Sequence, residues 1–170
     1  MFLGSSVIKK LILEKGMIKG YGNLEEQLQP DGFDLRVDKV MKTDGVGFIG
    51  VNTKALPLLK DIEFTNVVGG WILCKGSYII SFMEEVNLPK DIAAITIQRS
   101  TVMRCNDATV VGSWDAGYNG KGYNKLSIDN NDGLILEHGS RVVQMHFIPV
   151  AGENFSYNGS YQGENLDGSC

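Results

Sequence analysis

The feature that most constrains this chain is its punctuation. Short runs in which apolar and polar residues alternate, such as Phe33 to Val37, Ser77 to Met83, Ile92 to Gln98 and Val142 to Val150, are each cut off by Gly, Pro, Asn or Asp. A period of two sends successive side chains to opposite faces of a strand, and runs this short do not make long helices. Their spacing is that of an all-β sandwich or barrel, so the chain is predicted to be mainly β in one domain. With 170 residues it can bury an ordinary core.

Helical spacing is confined to the N-terminus. Val7, Ile8, Leu11 and Ile12 form an apolar stripe with Lys9, Lys10 and Lys15 outside it; Ser5 or Ser6 is placed to cap the helix and Gly16 to stop it. In the strand that follows, Phe33, Leu35 and Val37 share one face and Asp34, Arg36 and Asp38 the other. Read alone, this makes Asp34 an exposed strand carboxylate. Further strands are predicted over 46–51, 69–74 and 77–83, then a charged connection from Glu84 to Asp91 broken by Pro89. Segments 121–130 and 134–138 are predicted to pair as a hairpin about the turn residues Asn130 to Gly133. Residues 152–170 are rich in Gly, Ser and Asn with Tyr157 and Tyr161 as large anchors, and are expected to form a flexible tail.

Composition narrows the function classes. A net charge of -4 and a pI near 5.2 argue against a general nucleic-acid binder, which needs an extended basic face. Apolar runs are interrupted too soon to cross a membrane, and MFLGSSVIKK lacks the layout of a signal peptide, so cytoplasmic residence is expected. Cys74, Cys105 and Cys170 are widely spaced with no CxxC; the first two are read as reduced, buried apolar residues and the third as part of a frayed end.

Against this acidic background, the stretch from Ile97 to Gly120 concentrates cations and hydroxyls. Arg99, Ser100, Thr101 and Arg104 sit within six residues at a predicted strand-to-helix junction. Guanidinium forks, hydroxyl donors and the free N–H groups of a helix start all suit phosphate oxygens. Asp115 follows in a Gly-rich turn, where a carboxylate can meet a water or a sugar hydroxyl. The turn imitates the start of a calcium loop, but Leu126 stands where a bidentate glutamate is needed, which rejects calcium.

These residues carry a resemblance. QRSTVMR followed by WDAGYNG resembles two motifs of the family uniting homotrimeric dUTPases with dCTP deaminases. Asp34 in GFDLRV, Gln144 in VVQM and the tail sequence YNGSYQGEN resemble other motifs of that family, the tail being of the archaeal branch. The resemblance covers nearly the whole chain and narrows the expected fold to the dUTPase fold, a distorted, jelly-roll-like β-barrel (β-clip) with one short N-terminal helix. It further implies a homotrimer with sites shared between subunits, and Mg²⁺ carried on the triphosphate through water. By the same resemblance Arg99, Ser100, Thr101, Arg104 and Gln144 would hold phosphates, with Asp34 in a supporting role. Asp115 would act on the attacking water or the 3'-hydroxyl, Tyr118 would pack on the sugar, and Tyr161 and Gln162 would cover the nucleotide. Uracil would be read by backbone groups of Val111, Gly112 and Ser113 and of the hairpin after Gly120. Three departures are visible: Gln98 stands in place of the usual glycine, Thr101 in place of a serine, and the Gly-rich fifth motif is missing.

The same resemblance separates two reactions. Family deaminases need a glutamate on the hairpin after the Asp115 turn to move protons, yet there is no glutamate between Glu85 and Glu137. Ser127 or Lys125 falls at that position, and Asp129 is the nearest carboxylate. A zinc route has no HxE or PCxxC to support it, and His138 and His146 lack cysteine partners. The expected activity is therefore hydrolysis of dUTP to dUMP and pyrophosphate. The alternatives are a dCTP deaminase, alone or bifunctional, and a nucleotide-binding trimer without turnover.

Overall fold

The computed structural model describes residues 1–106 and 109–166, with Asn106 described in its backbone only. In chain order the elements are α1 (Ser5–Lys15), β1 (Ile18–Lys19), α2 (Leu24–Gln27), β2 (Leu28–Gln29), β3 (Gly32–Asp44), β4 (Phe48–Ile49), β5 (Lys54–Ala55), β6 (Leu58–Asp61), β7 (Gly70–Leu73) and β8 (Gly76–Phe82). They continue with β9 (Glu85–Asn87), β10 (Ile92–Gln98), α3 (Ser100–Asn106), β11 (Thr109–Trp114), β12 (Asn119–Gly120), β13 (Tyr123–Ile128), β14 (Leu134–Glu137) and β15 (Arg141–Pro149).

Six strands close on themselves in the order β3, β15, β10, β11, β13, β8 and back to β3, every neighbour antiparallel. The mainly β fold expected from the alternation therefore forms, and of the sandwich and the barrel left open by the spacing it is the barrel. Closure depends on the length of β3: its first half pairs with β15 through Phe33 to Arg36, and after an irregularity past Val37 its second half pairs with β8. Inward positions of these strands, among them Phe33, Leu35, Ile80, Phe82, Leu126, Val143, Met145 and Phe147, are almost completely buried. Burial of a large apolar side chain contributes about 1.5–3 kcal/mol, so this layer is the main source of the fold's stability.

Helix α1 packs on this core through Ile8 and Ile12. Its N-cap is Gly4 with no side-chain hydrogen bond, so neither Ser5 nor Ser6 caps it; both lie inside the first turn. Gly16 stops it as expected, in the left-handed conformation at φ 63°.

Polar contacts fix the entry to the barrel. Glu84 is fully buried, and its carboxylate accepts from Arg36 Nε at 2.6 Å, the Arg36 N–H at 2.9 Å and Gln27 Nε2 at 2.9 Å. Gln27 Oε1 in turn accepts from the N–H groups of Gly22 and Asn23, tying the α2 turn to the β8–β9 junction.

Three expectations are corrected. Segments 121–130 and 134–138 do not pair with each other: β13 lies between β11 and β8, whereas β14 pairs with β7 in a separate two-stranded sheet. The turn at Asn130 to Gly133 forms, but it carries the chain from one sheet to another. Cys74 and Cys105 are exposed, because one lies just past the end of β7 and the other on the outer face of α3. Cys170 lies outside the described residues. The 46–51 run is strand only at β4, which pairs with β5 in a small hairpin whose Phe48 and Ile49 are exposed. No helix among the described residues is long and apolar enough to cross a membrane.

Candidate functional site

Strands β10 and β11 are the two arms of a helical hairpin, and their register decides what the site can be. Ile97 lies opposite Val111, and Ala94 opposite Trp114. Arg99 therefore leaves β10 at the α3 end, while Asp115 follows β11 at the other end. The two are separated by about 20 Å of strand, taking roughly 3.3 Å per residue. One chain thus carries two half-sites and does not bring Asp115 to the arginines.

At the first half-site, Arg99 is held from behind. Its Nε lies 2.9 Å from Asp34 Oδ2, its Nη1 donates to the Arg141 carbonyl at 3.3 Å, and Arg141 Nη1 lies 3.6 Å from the same Asp34 oxygen. Asp34 is 1% exposed, so the exposed strand carboxylate expected of this segment is corrected. The polar face of β3 is covered because β15 pairs with it and brings Arg141 and Gln144 over it. The arginine contacts are close ion pairs without hydrogen-bond alignment, and both carboxylate oxygens lack a hydrogen bond. Burial raises the Asp34 carboxyl above the usual range, with Arg99 and then Arg141 pulling the other way without cancelling it.

Ser100, Thr101 and Arg104 lie on α3 with exposed side chains, in the same region as Arg99. Gln144 stands opposite Ile97 on one side and Asp34 on the other, and its Nε2 donates to Asp31 Oδ1 at 3.3 Å. The structure thus groups Arg99, Ser100, Thr101, Arg104, Gln144 and Asp34. Val111, exposed on the outer face, lies between the half-sites.

At the second half-site a cavity of about 240 Å³ is lined by Ser113, Asp115, Tyr118, Tyr123, Tyr161 and Glu164 among others. Asp115 is exposed, and among the described residues its carboxylate makes no hydrogen bond, so the turn does not consume it. Tyr118 packs edge-on against Trp114 with ring centroids 5.2 Å apart. Its hydroxyl is buried without a hydrogen-bond partner, and burial, then Glu164, Tyr157 and Tyr123, pushes the phenol pKa upward.

Behind the cavity wall, Thr96 Oγ1 accepts from Asn124 Nδ2 at 2.6 Å and from Trp114 Nε1 at 3.3 Å. A Cβ on Gly112 would meet Asn124 Oδ1 and Thr96 Oγ1, so only glycine lets the strand lie this close.

The tail completes this half-site. The Tyr157 N–H donates to the Ala116 carbonyl at 2.9 Å. Gln162 reads the turn backbone twice: its Oε1 accepts from the Asn119 N–H and its Nε2 donates to the Gly117 carbonyl, both at 3.0 Å. Lys54, from the β4–β5 hairpin, reaches Ser160 Oγ at 3.1 Å and lies over the Tyr161 ring at 4.7 Å.

Two residues here went unseen in the sequence. Lys54 had no local signal. Glu164, two residues after Gln162, lines the cavity, and burial raises its carboxyl above its ordinary value. The strand where family deaminases need a glutamate is β13, with Lys125 exposed and Ser127 half-buried; Asp129 lies just past its end. His138 sits 3.4 Å from Asp38 and His146 stacks on Phe2, and among the described residues no group of three or more metal-binding side chains is found.

Comparison with known proteins places the family and the fold. The dCTP deaminase-like family profile matches residues 2–150. A probable deoxyuridine 5'-triphosphate nucleotidohydrolase of Archaeoglobus fulgidus is 36% identical over 168 residues, covering 97% of this chain and 98% of its own length. One from Aeropyrum pernix is 35% identical over 152 residues, covering 89% and 93%. The crystal structure of the 2'-deoxycytidine 5'-triphosphate deaminase from Agrobacterium tumefaciens superposes with a TM-score of 0.66 at 24% identity, over 86% of this chain. This chain spans 47% of that deaminase's length, and the likeness concerns the fold. A match of this extent, on a barrel that holds the arginine cluster and the aspartate turn at the two ends of one strand pair, makes the chain a member of the dCTP deaminase-like family.

Proposed function

We propose that the chain hydrolyses dUTP to dUMP and pyrophosphate, in a site assembled from the Asp115 half of one copy and the arginine half of another. The observation that carries this reading is the register of β10 and β11: a triphosphate is far shorter than the separation of the half-sites, so one copy cannot use both. A homotrimer with shared sites supplies the second half. The near full-length likeness to relatives bearing a dUTP nucleotidohydrolase name supports the substrate. Cytoplasmic residence belongs to the same proposal.

In this reading Arg99, Arg104, Ser100, Thr101 and Gln144 grip the phosphates, and Asp34 keeps Arg99 oriented. Positioning and charge neutralisation do most of the work in such hydrolyses. Asp115, with no hydrogen bond of its own, orients the water or the 3'-hydroxyl. Tyr118 closes the sugar side, while Tyr161 and Gln162 cover the nucleotide. Backbone groups of Val111, Gly112 and Ser113 and of the hairpin after Gly120 face the base.

Mg²⁺ fits this donor set as a passenger of the substrate. Asp34 is buried and engaged by two guanidiniums, and the described residues offer no carboxylate cluster, so phosphate oxygens and water would be its ligands. When bound, it neutralises developing phosphate charge.

Pyrophosphate release measured across the deoxynucleoside triphosphates tests the reading. Turnover of dUTP and none of dCTP to dUMP is expected. Asp115→Asn should abolish turnover and spare binding. Ammonia released from dCTP would favour the bifunctional reading, for which Glu164 is the cavity carboxyl to test first; binding of dUTP without pyrophosphate would favour a pure binder.

A further inference from the structure

The last turn of the tail makes contacts that covering a nucleotide does not require. Lys121 follows β12 at the edge of the cavity, and both of its main-chain groups are occupied by tail residues. Its N–H donates to the Glu164 carbonyl at 2.8 Å, and its carbonyl accepts from Asn165 Nδ2 at 2.7 Å. Asn165 Oδ1 accepts from the Tyr123 hydroxyl at 2.9 Å, so the amide is held from both sides. Gly122, Tyr123 and Glu164, which surround this contact, all line the cavity that holds Asp115.

A carbonyl acceptor beside an N–H donor is also what the edge of a uracil ring presents, at N3–H and its neighbouring oxygen. The tail therefore offers Lys121 the same complement that a pyrimidine would. We infer that Glu164 and Asn165 act as a stand-in for the base in the nucleotide-free protein, and that an incoming pyrimidine must displace them from Lys121. Asn165 thus sets how tightly a base is held, because an incoming base must satisfy both groups of Lys121 to repay the contacts it breaks. The inference rests on the proposed reading that the hairpin after Gly120 reads the base.

Two further features make the displacement feasible. Asn165 sits at φ 55°, the only non-glycine residue with positive φ among the described residues, a conformation asparagine enters and leaves at little cost. The contacts of Tyr161 and Gln162 with Lys54, Gly117 and Asn119 lie upstream, so the turn after Gly163 can lift while they remain.

The test compares the full chain with a chain ending at Gly163 and with Asn165→Asp, which keeps the shape but loses the donor. Binding of dUMP is measured by calorimetry, alongside hydrogen exchange at the Lys121 amide without nucleotide. One net hydrogen bond removed from the competing state should tighten dUMP binding about fivefold in Asn165→Asp, and loss of both Lys121 contacts should tighten it further in the shortened chain. Lys121 exchange should also quicken in the shortened chain. Equal or weaker dUMP binding by both variants, in a protein that still hydrolyses dUTP, would overturn the stand-in and leave the proposed function intact. Failure of every form to bind dUMP or dUTP would overturn both.

Discussion

Asp34, on β3, holds Arg99, at the end of β10, across a 2.9 Å ion pair in which the carboxylate is almost wholly buried and the guanidinium keeps one side open. A cation braced from behind is pre-oriented toward whatever arrives in front. Asp34→Asn should therefore raise KM for dUTP by about tenfold through loss of orientation, with a smaller effect on kcat, as steady-state kinetics would register.

The same residue fixes a pH dependence. Its carboxyl is raised in the folded state, so the folded protein holds that proton more tightly than the unfolded chain. The associated stability is fully present below the ordinary aspartate range and is lost as pH rises through the folded value. Thermal midpoints followed from about pH 4 to about pH 7 should fall for the wild type relative to Asp34→Asn. A difference that stays flat with pH would refute the assignment.

Glu84 accepts three hydrogen bonds in a fully buried position, from Arg36 Nε, the Arg36 N–H and Gln27 Nε2. Glu84→Ala should cost about 3–5 kcal/mol in denaturant unfolding, the usual penalty for breaking a buried charged pair on one side. Specific activity per folded molecule should change little, since the network meets the arginine cluster only through the Asp34 carbonyl, to which Gln27 Nε2 also donates.

Gly112→Ala places a methyl against Asn124 Oδ1 and Thr96 Oγ1, two members of a buried polar cluster with no room to retreat. Loss of about 1–3 kcal/mol is expected from such overpacking, together with weaker dUTP binding as Ser113 shifts at the cavity. Unfolding curves and Kd measurements on one preparation would separate the two effects.

The thiols of Cys74 and Cys105 face solvent. In a Cys170→Ser background, both should react with a disulfide reagent under native conditions, at rates little changed by denaturant. Protection of either would contradict the exposed placement.

The barrel was legible because period-two alternation is a local property that each strand carries for itself. Pairing partners are not local. The segment ending at Ile128 and the one beginning at Leu134 flank a good turn, yet each finds a better-matched partner elsewhere, β13 beside β8 and β14 beside β7. Asp34 was misread for the same reason: its neighbours Arg99 and Arg141 are distant in sequence, and only barrel closure brings them over it. Arg99 and Asp115 belong to one stretch of sequence, but a hairpin puts residues near its turn and residues at its open end far apart. The arginine cluster and Asp115 were recognisable as chemistry; that one chain holds them a strand length apart was not. Lys54 and Glu164 become visible only when the tail is seen lying on the Asp115 turn.

In the proposed shared site, the strand-length gap between Arg99 and Asp115 makes damage shareable between copies. A polypeptide spoiled at one end of the β10–β11 pair still carries a sound other end, which a neighbour spoiled differently can use. Mixing Asp115→Asn chains with Arg99→Ala chains, each inert alone, should restore function in about a quarter of the composite sites of a closed ring assembled at random.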